Sequence, residues 1–356
     1  MSDQPIFDRF SGMTSDSKVA NTEHTREAAP VTAPPARDPT SQPTVDASGK
    51  PPRERVRHGP RNRPVLGATV VGLQLILRPL PLWLLHAGGR AVGAIMAFLP
   101  TRSRHRCEVN VDLCFPDMSL AERRRLVRKS LQHAACGALE LASLWRRDAD
   151  QIHGLIRHIH GEEHLAEALA RGKGVVLAAP HLGSWEFLGL WFSSRMAVTA
   201  LYRRPRIKQF DRLIRRGRNR FQPRVLEAKP SSLRELLRAL RRNEFVMLLP
   251  DQVPARQAGV FVQCFGKTTF LGTLLPRIAL RGEAQVLWVH AERLPGGAGF
   301  DMHIRPGQPL PEETAEAVAV MSADLERTIE SCREQYLWRY RRFRVRPKGV
   351  RSPYRR

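Results

Sequence analysis

Acidic side chains are scarce in this sequence. Asp and Glu number 34 against 58 Lys and Arg, which leaves a net charge of +24. A chain so unbalanced seeks phosphates: nucleic acid, anionic lipid or an acidic carrier. Aromatic residues are also few, at 7% with four tyrosines, thin for platforms that stack single-stranded nucleic acid. The five cysteines, Cys107, Cys114, Cys136, Cys264 and Cys332, form no C-x-x-C pair. Their odd count and scatter argue against a disulfide frame or a zinc site and fit reduced thiols in a cytosolic compartment. His158, His160 and His164 are neighbours in sequence, but they read as the surface around a helix start rather than as metal ligands. There is no internal repeat. Neither apolar run reaches the roughly 20 residues of a full membrane span.

What is present changes along the chain. Residues 1–49 are polar and rich in Pro, Ser, Thr and Ala, and bury too little to order themselves. Residues 50–64 turn basic, with Lys50, Arg53, Arg55, Arg57, Arg61 and Arg63 against Glu54. The apolar part begins only near Val65, too late for a cleaved signal peptide. Two apolar runs follow, Val65 to Leu77 and Leu82 to Leu99, split by Arg78, Pro79 and Pro81. They read as an interfacial or half-inserted helical hairpin on an anionic leaflet. A single tilted span and a buried core helix are the alternatives. Ser119-Leu120-Ala121-Glu122 is a capping box that opens a helix over 120–131, and a second apolar helix is expected over 134–145. A short helix is expected over 160–172.

The stretch from Gly174 to Leu190 organises the rest. Val175 to Ala179 is a short apolar run between Gly174 and Pro180, the pattern of a central parallel strand. His181 and Glu186 come next. Five helical residues turn by about 140°, so the two side chains would diverge on a helix. They converge if His181 sits in the turn and Glu186 in the first helical turn. A carboxylate there can accept the imidazole N–H and leave the other nitrogen as a base. Parallel strand ends are also where α/β sheets place their sites. The spacing alone is common and admits coincidence as well as catalysis.

Further strands are expected over 197–202, 245–249 and 285–291, and helices over 231–242, 273–279 and 315–332. Asp251, in Pro250-Asp251-Gln252, lies at a strand's carboxyl end and should face the crevice of His181. Residues 203–220 gather Arg203, Arg204, Arg206, Lys208, Arg212, Arg215, Arg216, Arg218 and Arg220 around Asp211. This is either an inert basic face or a cradle for phosphates or an acidic carrier. From Arg333 onward ten Lys and Arg stand against Glu334, interleaved with Tyr336, Trp338, Tyr340 and Phe343. That end is either a solvated tail or an interface-seeking surface.

Several of these phrases resemble the lipid A late (lauroyl/myristoyl) acyltransferase family, within the glycerolipid acyltransferases that carry a His-x4-Glu/Asp motif. Ala179 to Glu186 is similar to its His-x-Gly-Asn-Trp-Glu, with Ser184 in place of Asn. Asn110-x3-Cys114-Phe115-Pro116, Asp251-Gln252, the Phe-Phe-Gly-like loop ending at Phe265-Gly266, Arg293 and Gln335-Tyr336-x-Trp338 are placed in the family's order. The resemblance runs from about residue 70 to 346. It implies an α/β fold, a mixed and mainly parallel sheet flanked by helices. An extension (1–64) and a membrane-associated helical segment (65–100) would precede an acyltransferase domain (101–346) and a basic tail (347–356).

The resemblance further implies an enzyme on the cytoplasmic face of the bacterial inner membrane. It would move a fatty acyl chain from acyl carrier protein to a hydroxyacyl chain of a lipid A precursor, without cofactor, metal or nucleic acid. His181, Glu186 and Arg218 would be catalytic, with Arg218 polarising the thioester carbonyl. Arg203, Arg204, Arg215, Arg216, Asp251, Gln252 and Arg293 would bind substrate. Another membrane lipid, such as a phosphoinositol mannoside or a lysophospholipid, would be acylated by the same chemistry. That chemistry needs a base for the acceptor hydroxyl. His181 fills the role, with Glu186 expected to orient it. No Ser or Cys stands in a nucleophile turn beside it except Ser184, so direct transfer is expected. The oxyanion needs fixed donors, for which Arg218 and the backbone N–H groups after His181 are candidates.

Overall fold

Val175 to Ala178 are buried on both faces, which only the middle of a covered sheet provides. A computed structural model of the chain describes residues 64–355 other than 203–207, 222 and 230. The extension expected over 1–64 lies outside the described residues except for its last position, and Arg203 and Arg204 lie outside them too.

The strands are β1 (Ile156–His160), β2 (Val175–Ala178), β3 (Val198–Tyr202), β4 (Arg224–Glu227), β5 (Phe245–Leu248), β6 (Gly259–Cys264), β7 (Lys267–Gly272), β8 (Gln285–Arg293) and β9 (Phe300–Pro306). β6 and β7 form a separate hairpin. The other seven make one sheet in the order β1-β9-β8-β2-β5-β3-β4, parallel except where β8 meets β9. The helices are α1 (Pro64–Leu77), α2 (Leu82–Phe98), α3 (Arg102–Cys114), α4 (Leu120–Leu144), α5 (Ala149–His153), α6 (Glu162–Ala170), α7 (Trp185–Arg195), α8 (Lys208–Arg218), α9 (Ser232–Arg241), α10 (Leu274–Gly282) and α11 (Thr314–Ser331). The mixed, mainly parallel sheet flanked by helices is as expected.

Alternation along β2 sorts the core into two layers. Val175 and Leu177 pack with Leu165, Phe187, Leu188, Trp191 and Phe192 of α6 and α7. Val176 and Ala178 pack with Leu236 and Leu240 of α9, Ile278 of α10 and Val318 and Met321 of α11. Two local expectations are corrected. The capping box at Ser119 and Glu122 is present, but it opens one unbroken helix through Leu144 rather than two. Residues 156–160 form a strand, and the next helix starts only at Glu162, after Gly161 turns the chain at φ +81°.

Among the described residues no single helix is long and apolar enough to cross a membrane. α1 and α2 are separate helices broken at Arg78–Pro81. α2 lies against α4 through Gly89 and Gly93, while Trp83, Val92, Ile95 and Phe98 on its other faces are exposed. A Cβ on Gly93 would sit 2.3 Å from the Gln132 Cα, whereas one on Gly88 would meet only the Leu139 Cδ1 at 3.7 Å. Small residues are what allow two helices to approach so closely. Gly93→Ala is therefore expected to destabilise the protein by about 1–3 kcal/mol through overpacking. Gly88→Ala should leave the thermal midpoint in detergent unchanged or raise it, since alanine is the better helix former. Equal midpoints for the two variants would contradict the close α2–α4 contact.

Candidate active site

Strand register sets the site. β2 and β5 are neighbours, with Ala178 paired to Leu248. Beyond each strand come one more apolar residue, a proline, and then the functional group: Ala179-Pro180-His181 and Leu249-Pro250-Asp251. Equal lengths past paired strand ends bring His181 and Asp251 face to face. The His181 Nδ1 lies 2.8 Å from Asp251 Oδ1, and the His181 backbone N–H donates to Oδ2 at 3.2 Å. The Tyr336 hydroxyl donates to the same Oδ2 at 3.1 Å, and buried Arg342 donates to the Tyr336 oxygen at 2.7 Å. Burial would raise the Asp251 carboxyl, but the His181 charge and hydrogen bonds, with Arg342, outweigh it and hold the group below its ordinary value.

An ionised Asp251 accepts the Nδ1–H and so places the lone pair of His181 on Nε2. The Gln252 amide nitrogen lies 3.0 Å from that atom and donates to it. His181 retains 13% side-chain exposure, while Asp251 is closed to solvent. The orienting carboxylate is therefore Asp251, which corrects the expectation that Glu186 holds the imidazole. It also corrects the reading of Asp251 as a substrate contact.

Glu186, in the first turn of α7, pairs with Arg218 at the end of α8. Arg218 Nε donates to one carboxylate oxygen at 3.0 Å, and its Nη2 donates to the other. The guanidinium also lies over the Tyr202 ring, with Cζ 5.5 Å from the centroid. Three of its five N–H bonds remain for another acceptor. Glu186, Arg218, His181 and Gln252 all line one cavity of about 440 Å³. Its remaining walls are largely apolar and include Leu190, Val198, Ala200, Met247 and Leu275. Arg215 and Arg216 do not line it. Arg215 approaches Asp211 at 3.4 Å, and Arg216 faces a second cleft with Arg78, Arg146 and Arg220.

Arg293 is buried and also lies outside the cavity wall. It donates to both oxygens of Glu140 on α4, at 2.8 and 2.7 Å. His86 lies 2.9 Å from the same carboxylate, and the Ser184 hydroxyl donates to it at 2.6 Å. Gly137 leaves room for Arg293, whose Nη2 would lie 2.8 Å from a Cβ there. Burial would raise the Glu140 carboxyl, yet Arg293 and His86 hold it down at about 2. The substrate-binding reading of Arg293 is thus corrected. It anchors the turn behind His181, as does Ser184.

The C-terminal phrase completes that turn. Leu182 bridges Tyr336, and Gly183 bridges Ala291 at φ +57°, where a Cβ would lie 2.0 Å from the Ala291 oxygen. The Gly183 N–H donates to the Gln335 carbonyl, and the Leu337 N–H to the His181 carbonyl. Asn110 donates to the carbonyls of Trp338 and Tyr340, and Phe115 packs edge-on to Trp338. Tyr336, Trp338 and Phe343 are core residues, which corrects their reading as an interface-seeking surface, while Arg341, Arg344, Lys348 and Arg351 around and after them are exposed.

The family described as "Bacterial lipid A biosynthesis acyltransferase" matches residues 62–345. The chain belongs to that family. Among curated relatives, the lipid A biosynthesis lauroyltransferase of Escherichia coli K12 is 29% identical over 293 residues, covering 80% of this chain and 93% of its own. The palmitoleoyltransferase of the same organism is 27% identical over 271 residues, 75% of this chain and 87% of its own. A phosphatidylinositol mannoside acyltransferase of Mycobacterium tuberculosis is 31% identical over 152 residues, but that is 42% of this chain and 48% of its own. In this lipid A acyltransferase, an imidazole with an oriented lone pair thus opens beside a guanidinium onto an apolar cavity, the requirements of acyl transfer to a hydroxyl.

Proposed function

We propose that this acyltransferase moves a fatty acyl group from acyl carrier protein to a hydroxyacyl chain of a lipid A precursor, on the cytoplasmic face of the inner membrane. The observation that carries the reading is the His181–Asp251 pair, with His181 on the wall of the apolar cavity. The acyl chain enters the cavity, and its thioester carbonyl rests near His181 and Arg218. The acceptor hydroxyl displaces the Gln252 amide from the His181 Nε2 and gives up its proton there as its oxygen attacks the carbonyl. Asp251 stabilises the imidazolium that forms. Arg218, steadied by Glu186, donates to the tetrahedral oxyanion. The C–S bond then breaks, the imidazolium returns its proton to the leaving thiolate, and no acyl-enzyme forms.

The exposed apolar residues of α1 and α2, including Leu75, Ile76, Trp83, Ile95 and Phe98, support a seat on the bilayer surface. The net charge of +24 supports both an anionic leaflet and an acidic carrier. The test is transfer from labelled acyl carrier protein to a tetra-acylated lipid A precursor in mixed micelles. Labelled penta-acylated product is expected. Transfer only to a lysophospholipid or a phosphoinositol mannoside would overturn the acceptor. Equal use of acyl-coenzyme A and acyl carrier protein would overturn the donor.

A further inference from the structure

Away from the cavity, the other end of the sheet carries a grid of ligating side chains. Side chains two apart on a strand share a face. On β1 these are His158 and His160. On β9, paired to it in parallel, Asp301 stands opposite His158 and His303 opposite His160. The next strand, β8, continues both rows, with Glu292 opposite Asp301 and His290 opposite His303. The rows are in contact. His160 and His303 stack at 4.7 Å between ring centroids, His303 and His290 at 4.6 Å, and His303 Nε2 lies 3.2 Å from Glu292.

We propose that this sheet edge binds a divalent transition ion of the zinc class through His158, His160 and Asp301. The His158 Nδ1 lies 3.1 Å from Asp301 Oδ1, and the His160 Nε2 lies 3.8 Å from Oδ2. One ligand atom from each of the three residues falls within 4.8 Å of the others. Tetrahedral bonds of about 2.0–2.2 Å put ligand atoms roughly 3.3–3.6 Å apart. The two separations, which run to different oxygens of the carboxylate, straddle that span, and rotation of the two exposed imidazoles brings one atom of each residue within it. His158 and His160 are 70% and 56% exposed, so the site is open to solvent and leaves a coordination position for water.

The donor set also sets the metal class. Two imidazoles and a carboxylate suit zinc, nickel, copper or cobalt rather than calcium or magnesium. The nearby basic side chain of β9 does not compete, because Arg305 is turned onto Asp324 and Thr328 of α11. His303 supplies a backing ring for His160 and is itself held by Glu292. Such an ion staples the edge strand β1 to β9, a structural role independent of the acyl-transfer reading.

The test uses the full chain in detergent, without a polyhistidine tag and stripped with chelator. Zn2+ is titrated by calorimetry and Co2+ by its visible absorption, with the thermal midpoint followed in parallel. One ion per chain is expected, with a midpoint that rises with Zn2+ concentration. His158→Ala, His160→Ala and Asp301→Asn should each weaken binding by more than the roughly 10–100-fold that loss of a supporting partner costs. Circular dichroism of the three variants checks that they remain folded. Wild-type affinity retained in His158→Ala and His160→Ala would overturn the site. Wild-type affinity in Asp301→Asn alone would overturn the three-ligand assignment.

Discussion

Asp251→Asn is expected to lower kcat by about 10³- to 10⁴-fold with little change in KM, and His181→Ala to abolish transfer. An asparagine at this position offers its amide to the Nδ1 as readily as its oxygen. The imidazole can then present the wrong tautomer, although every distance in the turn is preserved. Glu186→Gln acts differently, by loosening Arg218. The two members of that pair should therefore be strongly non-additive in a double-mutant cycle. Asp251→Asn and Glu186→Gln, which share no hydrogen bond, should combine closer to additively. The measurement is steady-state transfer by Asp251→Asn, His181→Ala, Glu186→Gln and Arg218→Met, and by the doubles Glu186→Gln/Arg218→Met and Asp251→Asn/Glu186→Gln. An Asp251→Asn enzyme within about tenfold of wild type would remove Asp251 from the mechanism.

The largest loss of stability is expected from Arg293→Met. Glu140 would remain buried, with His86 as its only basic partner among the described residues. Removing one member of such a pair costs about 3–5 kcal/mol, because the surviving charge has no water to return to. Glu140→Gln with Arg293→Met in one chain should recover much of the loss, since the double variant buries no orphaned carboxylate. The pH dependence has a definite sign. The folded-state value of Glu140 is about 2 against an ordinary 4.5. Its contribution is therefore fully present above pH 4.5 and is lost as the pH falls toward 2. Denaturant unfolding of wild type should show that acid loss, and Glu140→Gln should flatten it. A double variant no more stable than Arg293→Met would show that the cost lies in packing rather than charge.

Local signals in the sequence reached four strands of the sheet, β2, β3, β5 and β8, the helices α9, α10 and α11, and the turn that ends β2. β2 was legible from Val175 to Ala178, the capping box from Ser119 and Glu122, and the break between α1 and α2 from Arg78, Pro79 and Pro81. Asp251 was legible as standing at the same end of the sheet as His181. Its pairing with His181 was not, because a five-residue spacing to Glu186 is visible in one dimension and strand register is not. A signal did exist: Val-Val-Leu-Ala-Ala-Pro-His and Phe-Val-Met-Leu-Leu-Pro-Asp run parallel residue for residue, which is how two neighbouring strands end at one site. β1 was missed because Ile-Arg-His-Ile-His lacks the apolar density of a buried strand. Its place comes from pairing with β9, more than a hundred residues away. Glu140 stood out in no local pattern and Arg293 read only as a substrate contact, because tertiary contact alone buries them together.

The bridge between Leu182 and Tyr336 has a bearing on how the protein is made. A nascent chain that has just emitted Gln252 from the ribosome already contains His181, Glu186, Arg218 and Asp251. It still lacks Ala291, which receives Gly183, and the Gln335–Leu337 segment that clasps the turn from its other side. It also lacks Tyr336 and Arg342 behind Asp251. The reactive constellation is thus assembled by segments translated after it. Catalytic competence arrives late in synthesis, after the strands that define the cavity have had time to settle.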